Sequence, residues 1–307
     1  MDPYYTQTGP RPDLAAIEVN PPEGYIGSSL VPTVPVTDKT GTVYYHALVS
    51  DVAAQTGRTA LNAPSSTAIT NSSTTFTCAE AIKRGEIAPD EAKSMGGIFN
   101  ADMVGAKFAK RSVMNAMETA IATVITGSAA DANFDAAKFL GDSQTALDTV
   151  RRYSGKTVLV GGTITLKRAV QSILADSTYG KVLSRLVQGT SPVVAASGLN
   201  FQSWMQGLAL FIGVDRVAAG DDAIWNAGDS ANKLVIGKFD DGSDPLRHKY
   251  EPVFARNFLY LPDGTQPWYV ESIGDRNVKS NKYDASAWYN VVTLNTAAIY
   301  VFGNVPV

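Results

Sequence analysis

Acid–base or nucleophilic chemistry would have to draw on a small stock here: two histidines, His46 and His248, and one cysteine, Cys78, in 307 residues. A histidine-built metal site would need both rings plus carboxylates, and neither His-x-x-x-His nor His-Glu-x-x-His spacing occurs. A single thiol forms no internal disulfide and no Cys-x-x-Cys zinc or redox pair, which suits a reducing compartment. The phosphate cradles G-x-x-x-x-G-K-[ST] and G-x-G-x-x-G are absent, as is the G-x-S-x-G nucleophile elbow. Gly141-Asp142-Ser143 and Gly228-Asp229-Ser230 share the Gly-Asp-Ser opening of certain lipases. Neither is followed by Leu, and no Asp-x-x-His pair closes a triad, so they read as a helix-face serine and a turn. Asn71-Ser72-Ser73 is a formal glycosylation sequon, read as chance because the start, Met1-Asp2-Pro3-Tyr4-Tyr5, lacks a basic-then-apolar signal pattern.

The remaining candidates have plain structural readings. His46 follows Tyr44-Tyr45 in an alternating run and lines a strand; His248 sits in an exposed basic turn, Pro245 to Lys249; Cys78, among threonines, packs. Carboxylate chemistry stays open in principle, since there are 29 acidic residues, but nothing arranges them into a recognisable pair. No catalytic, cofactor-binding or metal-ligating residue is assigned, and no cofactor is expected.

Charge and composition narrow the class further. The net charge of −3 is too near neutral for a protein that grips nucleic acid over a broad basic face. Charged residues are 18%, below the roughly 25% of an average soluble domain. An apolar fraction of 45% supports a sizeable core. No apolar run approaches the ~18 residues of a membrane span, so no membrane partner is expected.

The elements that must position these residues fall in a definite order. Residues 1–25 hold five prolines and no helical period, reading as an extended arm. Leu30 to Val36 and Thr42 to Tyr45 carry strand chemistry around a turn at Asp38 to Gly41. Pro32 and Pro35 exclude a central sheet position, leaving an edge or an arm. Between Gly24 and Cys78 only Asp38, Lys39, Asp51 and Arg58 are charged, and nine of the thirteen residues from Ser65 to Thr77 are Ser or Thr. That is either a flexible low-complexity stretch or a two-stranded arm whose sides something else covers.

Helix chemistry starts at Pro89-Asp90-Glu91, where proline and acid suit a first turn. Met95, Ile98, Phe99, Met103, Ala106, Val113, Met117, Ala120 and Val124 keep a mostly 3-and-4 spacing, with Lys107, Lys110 and Arg111 on another face. The helix is expected to run to about Ile125, with Gly96-Gly97 as a bend. A second follows from about Phe134 to Tyr153. Beyond Gly155 the pattern turns α/β: a strand at Thr157 to Val160, helices at Ile164 to Leu174 and Tyr179 to Val187. Strands are expected at Leu208 to Ile212, Leu234 to Ile236 and Val253 to Leu259, with Ala218 to Asn232 as a connection. Trp268 to Glu271, Tyr289 to Thr293 and Ala298 to Phe302 read as strands returning to a sheet.

Dimensions then constrain the shape. A compact chain of this length is about 50 Å across, yet a helix from Pro89 to Ile125 would be about 55 Å long. A hairpin of residues 40–80 would reach up to about 65 Å. A lone two-stranded arm is marginal in water. The subunit is therefore expected to be elongated and to finish its packing on neighbours.

This order of elements resembles the major capsid proteins of tailed bacteriophages. The stretches that carry the likeness are Tyr25 to Val36, Asn62-Ala63-Pro64, Phe76 to Glu80 before the helix, and Thr293 to Ala298 near the end. The resemblance implies an α+β chain with the Johnson shell fold. Its parts would be an N-terminal arm at 1–38, an E-loop hairpin at 39–82, a peripheral domain with a long spine helix at 83–154 and 266–307, and an axial domain at 155–265. It further implies a homo-oligomer of hexamers and pentamers in an icosahedral shell around double-stranded DNA held without sequence-specific contacts. Portal and separate scaffolding proteins are the implied partners, the virion the implied location, and the host cytoplasm the place of assembly. Some relatives crosslink an E-loop lysine to a neighbour; no lysine lies between Lys39 and Lys83 here. The alternatives are an encapsulin-like compartment holding enzyme cargo, and a carboxylate enzyme with an elongated helical insertion.

Overall fold

The computed structural model describes residues 9–22, 24–46, 71–88, 101–188, 201–227, 232–239, 253–262, 267–275 and 280–306. In chain order the elements are β1 (Gly9–Pro10), α1 (Pro12–Ala15), α2 (Gly27–Leu30), β2 (Thr33–Val36), β3 (Thr40–His46), β4 (Asn71–Thr77), β5 (Ala79–Ile87) and α3 (Ala101–Thr126). Next come β6 (Ala132–Asn133), α4 (Phe139–Val150), β7 (Lys156–Gly162), α5 (Thr163–Ala175), α6 (Gly180–Gln188), α7 (Phe201–Ile212), β8 (Arg216–Gly220) and α8 (Asp222–Trp225). The chain closes with β9 (Leu234–Phe239), β10 (Ala255–Tyr260), β11 (Tyr269–Asp275), β12 (Ser280–Thr293) and β13 (Ile299–Gly303).

Two sheets organise the body. The first runs β1-β11-β12-β10-β2, with β5 on the other side of the long strand β12. β2 lies at its edge beside β10, the position that Pro35 permits because it has no N–H for a second neighbour. The second sheet runs β6-β13-β9-β7-β8. Strand alternation sends its side chains to two cores. Leu159, Ile236 and Phe302 face helices α4 to α7, while Val160, Val235 and Val301 face Ile121, Ala122 and Ile125 of α3 together with Trp225.

Helix α3 ties the sheets together. Its first half lays Ala106 and Ala109 on Val270, Tyr283 and Ala285 of the first sheet; its last turns reach the second. The approach to β5 is so close that a Cβ on Gly85 would overlap the Gly105 carbonyl, and one on Gly105 would enter the Tyr283 ring. Glycine inside a helix costs about 1 kcal/mol against alanine; here the backbone contact requires it. Lys233 Nζ donates to the carbonyls of Thr126 and Ser128 at 2.9 and 3.0 Å, supplying donors at the helix end.

Several expectations need correction. The arm is not uniformly extended, because Pro12 starts a single helical turn that buries Leu14 and Ala15. Residues 134–138 are not helical: Phe134 N–H bonds the Gly303 carbonyl at 2.8 Å and α4 begins only at Phe139. Leu208 to Ile212 is the end of helix α7 and not a strand; it buries Leu208, Phe211 and Ile212 and leaves Leu210 outside. Ala218 to Asn232 is not a bare connection, since it holds the end of β8 and all of α8. Lys110 belongs to the buried face of α3, whereas Lys107 and Arg111 are exposed. The expected helix start at Pro89 and the bend at Gly96-Gly97 lie outside the described residues, as do residues 47–70 between β3 and β4.

Candidate assembly surface

The hairpin β3–β4 is rooted firmly and left bare further out. Its register is unbroken from Thr40–Thr77 to His46–Asn71. At the base Phe76 stacks on Phe258 with centroids 4.6 Å apart and planes 11° apart. Lys39 Nζ lies over the Tyr260 and Trp288 rings at 5.4 and 4.9 Å, a cation–π seat. Asn290 Nδ2 donates to the Thr77 carbonyl at 2.7 Å. Towards the far end Tyr44 is 62% exposed, and the flanking Thr42, Ser73 and Thr75 are exposed as well. β-branched residues keep that part extended without any charge to solvate it.

The N-terminal segment is held differently, through its main chain. Lys110 is fully buried and its Nζ donates to the carbonyls of Ala15 and Ile17 at 2.7 and 2.9 Å. Burial lowers its pKa to about 8. Eight residues along α3, buried Glu118 accepts from the backbone N–H of Ile26 at 2.8 Å, of Gly27 at 2.9 Å, and from Trp225 Nε1 at 2.8 Å. Burial raises its carboxyl above the usual range, against the pull of these donors. A Cβ on Gly27 would come within 2.5 Å of Glu118 Oε2, so only glycine lets the two meet. The chain thus passes over the spine helix between a buried cation that takes two carbonyls and a buried anion that takes two amides.

Neither clasp residue was singled out from sequence. The available signal was their place on the apolar stripe: Lys110 falls between Ala106 and Val113, and Glu118 beside Met117 and Ile121. Cys78 is buried with Sγ 3.5 Å from the Phe258 carbonyl, and burial pushes its thiol pKa up, so it packs. Ser143 is buried on α4. His46 pairs with Asn71 in the hairpin, placing the sequon in β4. His248 and Gly228-Asp229-Ser230 lie outside the described residues. Among the described residues no three or more His, Cys, Asp or Glu side chains converge on one point, and no helix is long and apolar enough to cross a membrane.

Large apolar side chains remain on the outside. Phe108 on α3 is 64% exposed and Leu210 on α7 is 70% exposed. With the bare hairpin they mark faces that the chain does not cover itself.

No family model matches the sequence, and no curated protein matches it. Solved structures do. A phage-related protein from Bordetella bronchiseptica superposes with a TM-score of 0.62 at 14% identity, over 97% of this chain and 98% of that one. The capsid of a native GTA particle gives 0.56 at 14% identity, over 99% and 96%. The mature capsid of bacteriophage PhiM1 gives 0.52 at 13% identity, over 94% and 88%. The chain has the α+β fold of these phage capsid structures.

Proposed function

We propose that the chain is a major capsid protein that self-assembles into the shell enclosing the double-stranded DNA of a tailed phage. The observation that carries this is end-to-end agreement of fold: 99% of the chain is matched by a particle capsid protein that is itself matched over 96%. The chain's activity is self-association. A hairpin with exposed, uncharged flanks suits this reading, because a neighbouring copy can supply the partners its polar side chains need.

In this reading residues 1–38 are the arm, 39–82 the E-loop, 83–154 and 266–307 the peripheral domain around α3, and 155–265 the axial domain. Strand β13, within 266–307, pairs with β9 and so links the two domains. Hexamers and pentamers, a portal, separate scaffolding and non-specifically held DNA complete the particle, which assembles in the host cytoplasm. Subunits are held without covalent links, since residues 40–82 contain no lysine. Negative-stain microscopy of the purified chain tests the proposal: closed shells are expected, and single subunits or small oligomers under all assembly conditions would overturn it. Nucleic acid inside native particles supports the phage reading, whereas a protein cargo would point to a compartment. Boiled in denaturant, particles should release a 32.6 kDa monomer; a ladder of crosslinked rings would contradict the non-covalent shell.

A further inference from the structure

Strand β5 forms an open edge of the first sheet. Among the described residues its one neighbour in that sheet is β12, and it runs for nine residues, Ala79–Ile87. One face of β5 is covered by α3, where Gly85 meets Gly105. Alternation puts Glu80, Ile82, Arg84 and Glu86 on the opposite face, and all four are exposed. Ile82 is 54% exposed. Arg84 is held in place there by Asp284, with Nε and Nη2 each 2.6 Å from a carboxylate oxygen. A long edge strand with a bare isoleucine is a template for another strand.

We propose that this edge pairs with the same edge of a second copy, antiparallel about a two-fold axis at Ile82. The strand's own residues select both the partner and the register. Only alternate residues of an antiparallel strand point N–H and C=O outward. Two copies of one edge therefore pair only in registers where some residue faces itself. Centres at Ile82, Lys83 and Arg84 bring together residues 79–85, 79–87 and 81–87; centres nearer either end shorten the overlap. Centred on Lys83, the pairing sets Glu80 against Glu86 and lysine against lysine. Centred on Arg84, it sets arginine against arginine. Like charges directly opposite are destabilising. Centred on Ile82, it sets Glu80 against Arg84 on both sides of the axis and isoleucine against isoleucine. On the other face Lys83 meets Ala81, and Gly85 meets Ala79. The order acid, apolar, base is complementary to its own reverse, which an isologous contact requires. Pairing would join two first sheets into one and cover Ile82. It asks only for a second copy and does not rest on the shell reading; a shell would contain it where subunits meet across a two-fold axis.

Ile82→Cys under mild oxidation tests the pairing, with buried Cys78 left in place. Subunits of this variant should form a disulfide-linked dimer, joined 82 to 82 by peptide mapping, because residues opposed across two strands lie within disulfide reach. Lys83→Cys should link far more slowly, and Thr75→Cys on the exposed hairpin sets the rate of chance encounter. Glu80→Arg added to Ile82→Cys should slow linkage about tenfold, since two attractive pairs become repulsive; Glu80→Gln should slow it less. A melting transition confirms that each variant folds. Hydrogen exchange of the unmodified protein needs no variant and should show protection at residues 79–85 that rises with protein concentration. Linkage at Ile82→Cys no faster than at Thr75→Cys, equal linkage at Lys83→Cys, indifference to Glu80→Arg, or exchange independent of concentration would overturn the pairing. Shells that close with position 82 unlinked would overturn this pairing alone, and linked dimers that never close shells would overturn the shell reading alone.

Discussion

Hairpin β3–β4 and spine helix α3 are both long elements rooted on the first sheet, and their surroundings differ sharply. The helix is wrapped by its own chain: sheet residues, the N-terminal segment and Trp225 bury Ala106, Ala109, Val113, Ile121 and Ile125. Even two charges on its buried face are matched, by main-chain carbonyls and amides. The hairpin is seated at its base, where Phe76, Cys78 and Phe258 are buried and Val34, Val36, Val43, Tyr260, Trp288 and Val292 pack around them half-buried; further out Thr42, Tyr44, Ser73 and Thr75 are exposed. A two-stranded ribbon is marginal without further packing. The contrast separates stability from association: the helix holds the subunit together, and the hairpin is the surface that a neighbour would cover in the proposed shell.

The largest effect that would sharpen this contrast is on the helix side. Glu118→Ala leaves two backbone amides and the Trp225 indole N–H without acceptors, at about 1–3 kcal/mol each. A loss of about 4 kcal/mol is expected in denaturant unfolding, while Glu118→Gln, whose Oε1 can serve all three, should lose much less. Equal losses would show that the hydrogen bonds are not what Glu118 contributes. Phe76→Ala removes the stacked ring at the hairpin base and should cost about 3 kcal/mol. Hydrogen exchange should then speed in Thr40–His46 and Asn71–Thr77 before β12 is affected; simultaneous opening would make the hairpin part of the main cooperative unit.

Lys110 predicts a pH dependence of defined sign. Its folded pKa of about 8 lies below the ordinary 10.5, so between those values the unfolded chain binds a proton that the folded chain has released. Its contribution to stability should rise with pH across that window. Compared with Lys110→Met, the unmodified protein should therefore gain stability between pH 8 and 10.5; a relative loss would reverse the assignment of burial as the cause.

Two changes in the hairpin region should barely touch the isolated subunit. Replacing residues 47–70, which lie between the two strands in sequence and leave Phe76 and β4 intact, by a short Gly-Ser turn should leave a soluble, cooperatively melting chain that closes no shells. If it still assembles, the arm is decoration; if it cannot fold, the stretch belongs to the core. Smallest in stability is Thr75→Lys at an exposed hairpin position, expected within about 0.5 kcal/mol of the parent. Yet a charge there should depress assembly if a neighbour covers the ribbon, and unchanged particle yield would argue that this face stays in solvent.

Particular segments explain how far sequence could be read. Lys156–Gly162 and Leu234–Phe239 were legible as strands because short β-branched runs end at glycine or polar residues. Thr163–Ala175 was legible because its apolar positions recur at helical spacing. Leu208 to Ile212 misled because five apolar residues in a row satisfy either period. Only the packing of Phe201–Ile212 against α4 and α6 decides for a helix. Strand β5, Ala-Glu-Ala-Ile-Lys-Arg-Gly-Glu-Ile, has no clean alternation, since its nine-residue pairing with β12 holds it in place. The missing catalytic motifs, the uncharged stretch before Cys78 and the order of arm, hairpin, long helix and α/β body were all present in the one-dimensional pattern, because residue type and spacing act locally. The Lys110 and Glu118 clasps were not. Their partners are backbone carbonyls and amides at residues 15, 17, 26 and 27, and every residue carries the same main-chain groups. Side-chain identity cannot announce such a contact; it exists only once the fold lays one stretch of backbone across another.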